Sequence, residues 1–201
     1  TVALIVLPYV LTALYIFVDP PYSALTLREA IAGHRVSQTW RDIDRISPQL
    51  IIQVIVSEDG RFCDHRGVDW TALWDAITDE DGKPRGASTI TMQTAKNLFL
   101  WNRPAFLRKA FEIPLALYMD VVLGKRRVAE LYFNFAQWGP GVFGAEEAAR
   151  YHFKTTASEL SAQEAAQLAA SLPAPTRRNA GSPGYAPASL ARRLRRRVER
   201  D

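Results

Sequence analysis

Gly86-Ala87-Ser88-Thr89-Ile90-Thr91-Met92-Gln93-Thr94-Ala95-Lys96-Asn97-Leu98-Phe99-Leu100 is the stretch on which the reading of this chain turns. Ser88 is a good N-cap residue, so the spacing predicts a helix from Ser88 to about Leu100. On that helix Thr89, Gln93, Lys96 and Asn97 share one face by i+3 and i+4 spacing, and Ile90 and Leu98 lie on the other. A glycine-bounded helix start with hydroxyls and a downstream lysine suits a phosphate-bearing ligand. It is not a nucleotide P-loop, because the lysine does not follow the glycine at that spacing. The plainer alternative is an amphipathic helix with a polar solvent face.

Working upstream, Leu50, Ile51, Val54 and Ile55 recur at helical spacing after Pro48 and lead into Glu58. Glu58-Asp59-Gly60-Arg61-Phe62-Cys63-Asp64-His65-Arg66-Gly67 follows. A carboxylate at the end of an apolar helix face has its charged form disfavoured, which suits general-base work. Asp59 and His65 are placed to orient Glu58 or to tie down the loop. The competing reading is a helix terminus with ordinary exposed acids.

Downstream, Asp79-Glu80-Asp81-Gly82-Lys83-Pro84 reads as a loop. A helix is expected from Pro104 to Leu123, kinked at Pro114 and stopped by Gly124. Within it Arg108 and Glu112 lie at i,i+4 and Lys109 and Glu112 at i,i+3, which in isolation reads as a surface salt bridge. Another helix is expected over Lys125 to Phe135. Ser161 and Glu164 form a capping box before an alanine-rich helix ending at Pro173. A last helix carries Leu190, Leu194 and Val198 between arginines. Few alternating strand patterns occur, so the domain reads as nearly all-α.

The chain has 201 residues and a formal net charge of +4, with much of the excess at Arg192, Arg193, Arg195, Arg196, Arg197 and Arg200. Such a cluster attracts phosphate-rich partners or is a solvated helix face. No nucleic-acid motif accompanies it, so a nucleic-acid partner is not expected. Cys63 is the only cysteine, which rules out an intrachain disulfide, and the three histidines show no zinc-ligand spacing. Val2 to Val18 is a nearly continuous apolar run of a length close to a bilayer crossing, stopped by Asp19-Pro20-Pro21. The organisation expected is a transmembrane anchor over 1–19, a connector over 20–47 and a catalytic domain over 48–201. A basic leader ahead of the run is also expected.

Taken in order, these stretches resemble the monofunctional biosynthetic peptidoglycan transglycosylases, glycosyltransferases whose domain also occurs in bifunctional penicillin-binding proteins. The resemblance runs from about Pro48 to Pro175. It rests on E-D-x-x-F-x-x-H-x-G at Glu58 to Gly67, the Gly86 to Leu100 stretch, R-K-x-x-E at Arg108 to Glu112, and K-x-x-x-x-E-x-Y-x-N at Lys125 to Asn134. The segments Trp138 to Glu146 and Tyr151-His152-Phe153 follow in register. Departures are Met92 in place of a glutamine, Asp120 in place of a glutamate, and Pro104 where an arginine is common, with Arg103 one residue off.

The resemblance implies a lysozyme-like helical fold with a small membrane-proximal lobe over roughly residues 68 to 105. Trp70, Leu73, Trp74, Phe99 and Trp101 are the residues expected to meet the bilayer. The implied reaction polymerises lipid II into β-1,4-linked glycan with inversion and release of polyprenyl diphosphate. Glu58 is the implied base and Glu112 the second catalytic carboxylate. Asp59, Phe62, His65, Ser88, Thr89, Gln93, Lys96, Asn97, Arg108 and Lys109 are the implied substrate-binding residues. A divalent cation, Mg or Mn, is expected only together with the substrate diphosphate, near Glu112, and no organic cofactor is expected. The implied partners are lipid II, the lipid-linked glycan, the membrane, penicillin-binding proteins and division or elongation proteins. The implied location is the bacterial inner membrane, single-pass, with the catalytic domain outside. Two alternatives remain at this stage: a lytic enzyme, which would not need the basic set, and a tethered non-catalytic scaffold.

Overall fold

The computed structural model describes residues 2–78, 86–101 and 104–199. The loop expected at 79–84 and the position of Arg103 lie outside them, as does Arg200. Nine helices account for most of the described chain: α1 Val2–Leu14, α2 Ala24–Ile31, α3 Pro48–Glu58, α4 Trp70–Thr78, α5 Ile90–Phe99, α6 Ala105–Phe135, α7 Ala145–Phe153, α8 Ala162–Ser171 and α9 Tyr185–Val198. The mainly-α expectation holds. The chain divides into two compact units, one of residues 1–25 and 61–132, the other of residues 26–60 and 133–201.

In the first unit α1 is a 13-residue helix. At 1.5 Å per residue it is about 20 Å long, against roughly 30 Å of bilayer hydrocarbon. Among the described residues no helix is long and apolar enough to cross a membrane. The expected crossing over Val2 to Val18 is therefore not shown among the described residues. Beyond Leu14 the chain meets Arg127, whose guanidinium donates from Nε to the carbonyl of Tyr15 (2.8 Å) and from Nη2 to that of Val18 (3.0 Å) and to Asp19 Oδ1 (2.8 Å). The segment after Leu14 is thus held as turns. Tyr15 stacks on Phe99, Tyr9 meets Tyr118 edge-on, and Thr12 is fully buried.

Helix α5 starts one residue later than expected. Thr89 is the N-cap, with its hydroxyl accepting from Met92 N (3.1 Å) and donating to the Gly67 carbonyl (2.6 Å). Helix α6 has one non-helical residue, Gly124 (φ 71°, ψ 166°), which divides it where the glycine stop was expected. Pro114 keeps helical dihedrals, so the break comes from the glycine. At Gly67 (φ 79°) a Cβ would lie 2.4 Å from the Ala116 carbonyl oxygen, so only glycine lets this loop lie against α6.

In the second unit α3 packs on α8 and α9, with Leu50 and Val54 fully buried. The Ser161–Glu164 capping box opens α8 as expected. A small sheet has strand order β1–β3–β2: β1 Ser37–Gln38 runs parallel to β3 Val142–Phe143, and β2 Gln137–Gly139 runs antiparallel to it. Asn134 fixes the entry to this sheet. Its Oδ1 accepts from Arg41 N and its Nδ2 donates to Arg41 O, both at 2.8 Å. Strands of two or three residues leave no alternation to read, which is why the sequence shows no sign of them.

Candidate active site

Glu112 is the most constrained of the expected site residues. It is 0% exposed, so the surface ion pair expected for Arg108 and Glu112 is a buried one. Arg108 Nε donates to Glu112 Oε2 (2.8 Å), and Lys109 Nζ donates to Oε1 (2.5 Å). Helical spacing puts both cations one turn before the carboxylate, on its side of α6. Removing a carboxylate from water costs several kcal/mol unless close partners compensate it. Two cations on one carboxylate leave the trio with a net charge of +1. Lys109 also reaches Ser88 Oγ (3.3 Å), and its side chain keeps a third of its surface exposed. The surplus charge therefore has an open route to an anion.

Ser88, displaced from the N-cap role by Thr89, becomes the hinge of this cluster. Gln93 Nε2 donates to the Ser88 carbonyl (3.4 Å), and Tyr132, nearly fully buried, donates its hydroxyl to Gln93 Oε1 (3.5 Å). Lys96 is half-buried on the same helix and Asn97 is buried. Ser88, Gln93, Arg108, Lys109 and Glu112 are thus joined by one set of hydrogen bonds, and the solvent-face reading of α5 fails because most of that helix is buried.

Other expected residues have different surroundings. Thr89 is buried and its hydroxyl is committed to the cap and to Gly67. Phe62 is buried beneath Lys125, whose Nζ lies 4.7 Å from the ring centroid. Lys125 also pairs with Asp120 (2.6 Å), which accepts from Thr91 Oγ1 (3.3 Å). His65 is half-buried beside Phe62. Arg61 and Asp69 form a hydrogen-bonded ion pair, and Asp69 Oδ1 also accepts from Ala72 N at the start of α4 (2.9 Å). That Arg61 bond holds the Asp69 carboxyl below its ordinary value, against the opposing pull of burial.

Glu58 and Asp59 belong to the second unit. Glu58 is the last residue of α3 and is half-buried; Asp59 is its buried C-cap, with its N–H bonded to the Ile55 carbonyl. Sequence reasoning passed over Tyr132, Lys125 and Arg127 as individual groups. The motif spacing of Lys125 and Tyr132 is the signal that marks them; Arg127 carries none. Of the residues expected to meet a bilayer, Trp70, Trp74 and Trp101 are exposed, whereas Leu73 and Phe99 are half-buried.

Both Glu112 oxygens already face cations, so a divalent cation beside it would need the negative charge of the substrate diphosphate to offset the surplus positive charge. No group of three or more histidine, cysteine, aspartate or glutamate side chains that could hold a metal ion occurs among the described residues.

A family model described as Transglycosylase matches residues 25–200. The chain is similar to the "Biosynthetic peptidoglycan transglycosylase" of Rhizobium etli, at 48% identity over 201 residues, covering 98% of this chain and 86% of the relative. The protein of the same name from Rhodopseudomonas palustris is 52% identical over 185 residues, 90% of this chain and 78% of the relative. That of Brucella suis is 49% identical over 186 residues, 90% and 83% respectively. With a family match over nearly the whole chain and relatives at about half identity along it, the chain belongs to the transglycosylase family and is a glycosyltransferase.

Proposed function

We propose that this enzyme polymerises lipid II into β-1,4-linked peptidoglycan strands by inverting single displacement. Glu58 accepts the proton of the acceptor 4-hydroxyl as that oxygen attacks the anomeric carbon of the lipid-linked glycan donor. The bond from that carbon to the diphosphate breaks, and polyprenyl diphosphate leaves with the electron pair. Arg108, Lys109 and Lys96 neutralise the departing charge, and Ser88, Gln93 and Asn97 position sugar and phosphate oxygens. Glu112 acts by holding Arg108 and Lys109 in place. The observation that carries this reading is the buried trio with its surplus positive charge and half-open lysine, which is what a diphosphate leaving group requires. A lytic enzyme has no use for it.

The substrate is membrane-borne, and the enzyme meets it at the outer face of the inner membrane. Ile5, Val6, Leu7, Val10, Leu14 and Phe17 are exposed apolar side chains on or just after α1 and support lipid contact by this segment. Trp70 and Trp74 support a second contact. The test is polymerisation of labelled lipid II, with products sized on a gel. Glu58→Gln should lose roughly 100-fold or more in rate, the scale of general-base catalysis. Wild-type rates in that variant would remove Glu58 from the mechanism, and no polymer from folded wild type would remove the reading itself.

A further inference from the structure

Helix α9 carries more positive charge than its place in the fold needs. Ala191 and Leu194 are buried against the second unit, so the arginines are displayed around them. Arg193, Arg196 and Arg197, at i, i+3 and i+4, are exposed and line one open depression together with Glu199. Like charges at this spacing repel and weaken a helix. Attraction to the negative end of the helix dipole offsets this only in the last turn, which contains Arg195, Arg196 and Arg197 and leaves out Arg193. Three guanidiniums gathered on one face suit planar, bidentate recognition of carboxylates.

The depression adjoins the end of α3. A methyl group added at Gly60 would lie 3.8 Å from Arg197 Nη2, and Gly60 follows Glu58 by two residues. Two Cα–Cα steps of 3.80 Å place Arg197 Nη2 within about 13 Å of the Glu58 Cα. A sugar ring with a short peptide arm covers that span. We infer that Arg193, Arg196 and Arg197 form a subsite for the peptide carboxylates carried by the disaccharide substrate, beside the carboxylate that activates its hydroxyl. This inference rests on the proposed reaction.

The experiment compares two lipid-linked disaccharides, one with free peptide carboxylates and one with those groups amidated, on full-length enzyme in detergent. Wild type should show a KM at least about 5-fold lower for the carboxylate form. The R193Q/R196Q/R197Q variant should lose that preference by raising KM for the carboxylate form alone, with kcat within twofold. An R193K/R196K/R197K variant should restore part of it. Equal KM values in wild type, or an equal rise for both substrates in the glutamine variant, would overturn the subsite. So would loss of binding to phosphatidylglycerol vesicles in that variant with substrate preference intact, which would assign the arginines to lipid headgroups. Failure of wild type to polymerise either substrate would instead count against the proposed reaction.

Discussion

Gly67 shows how much a single motif residue decides. Its φ of 79° is one that a side chain disfavours, and an added Cβ would meet the Ala116 carbonyl oxygen at 2.4 Å. Its own carbonyl accepts from Thr89, so the loop and the α5 cap move together. Gly67→Ala should cost about 2–4 kcal/mol, combining left-handed strain with backbone displacement. A urea midpoint unchanged from wild type would show that the loop lifts off α6 freely. Asp69 sets the acid behaviour of the same loop. Its bond from Arg61 holds the folded carboxyl below the unfolded value of about 3.9. The stability this supplies is complete above that pH and is lost as pH falls through the folded value. Arg61→Met should therefore cost most near neutrality and progressively less as the medium is acidified. A gap between the two proteins that widens on acidification would contradict this linkage.

Among the elements, α6 joins the site to the fold. Glu112→Gln leaves Arg108 and Lys109 facing each other without the carboxylate, and should destabilise by about 3–5 kcal/mol, the usual cost of breaking a buried pair from one side. Lys109→Met added to it removes one of the stranded charges, so the double variant should be more stable than the sum of the two single losses. Strict additivity in urea unfolding would show that the three groups do not act as a unit. Helical spacing put the trio on one turn, but it could not give burial: Arg108-Lys109-x-x-Glu112 has the same pattern on a wet helix. The helices themselves were legible because α3, α5, α8 and α9 carry apolar periods or caps, and Gly124 marked the break in α6. The sheet was not legible, since its strands are too short to alternate and are positioned by Asn134, distant in sequence from its Arg41 partner. The N-cap was misplaced by one residue because Ser88 and Thr89 have equivalent capping chemistry. The Thr89 hydroxyl also donates to the Gly67 carbonyl, a contact distant in sequence.

At the scale of the molecule, the chain leaves and re-enters each unit, so the N-terminal segment shares a unit with the Glu112 trio. Read as sequence, residues 2–18 are a membrane anchor. In the structure they are part of the packing. Tyr15 covers Phe99, and residues 15–19 supply three acceptors to Arg127, whose Nη1 also donates to Glu130 (2.5 Å). Deleting residues 1–19 would strip this cover and take these three acceptors from Arg127. Hydrogen bonds to a charged group contribute about 1.5–3 kcal/mol each, and the aromatic contacts about 0.5–1.5 more. One kcal/mol corresponds to roughly 2–4 °C in Tm for a chain of this size. The truncated enzyme should therefore melt at least about 6 °C below the full chain in the same detergent. Arg127→Met in the full chain should reproduce part of that loss, and adding it to the truncation should cost little more. Equal Tm values for the full and truncated chains would show that the segment is only a tether. If Arg127→Met proved as costly in the truncated chain as in the full one, Arg127 would be stabilising α6 through Glu130 and not holding the segment.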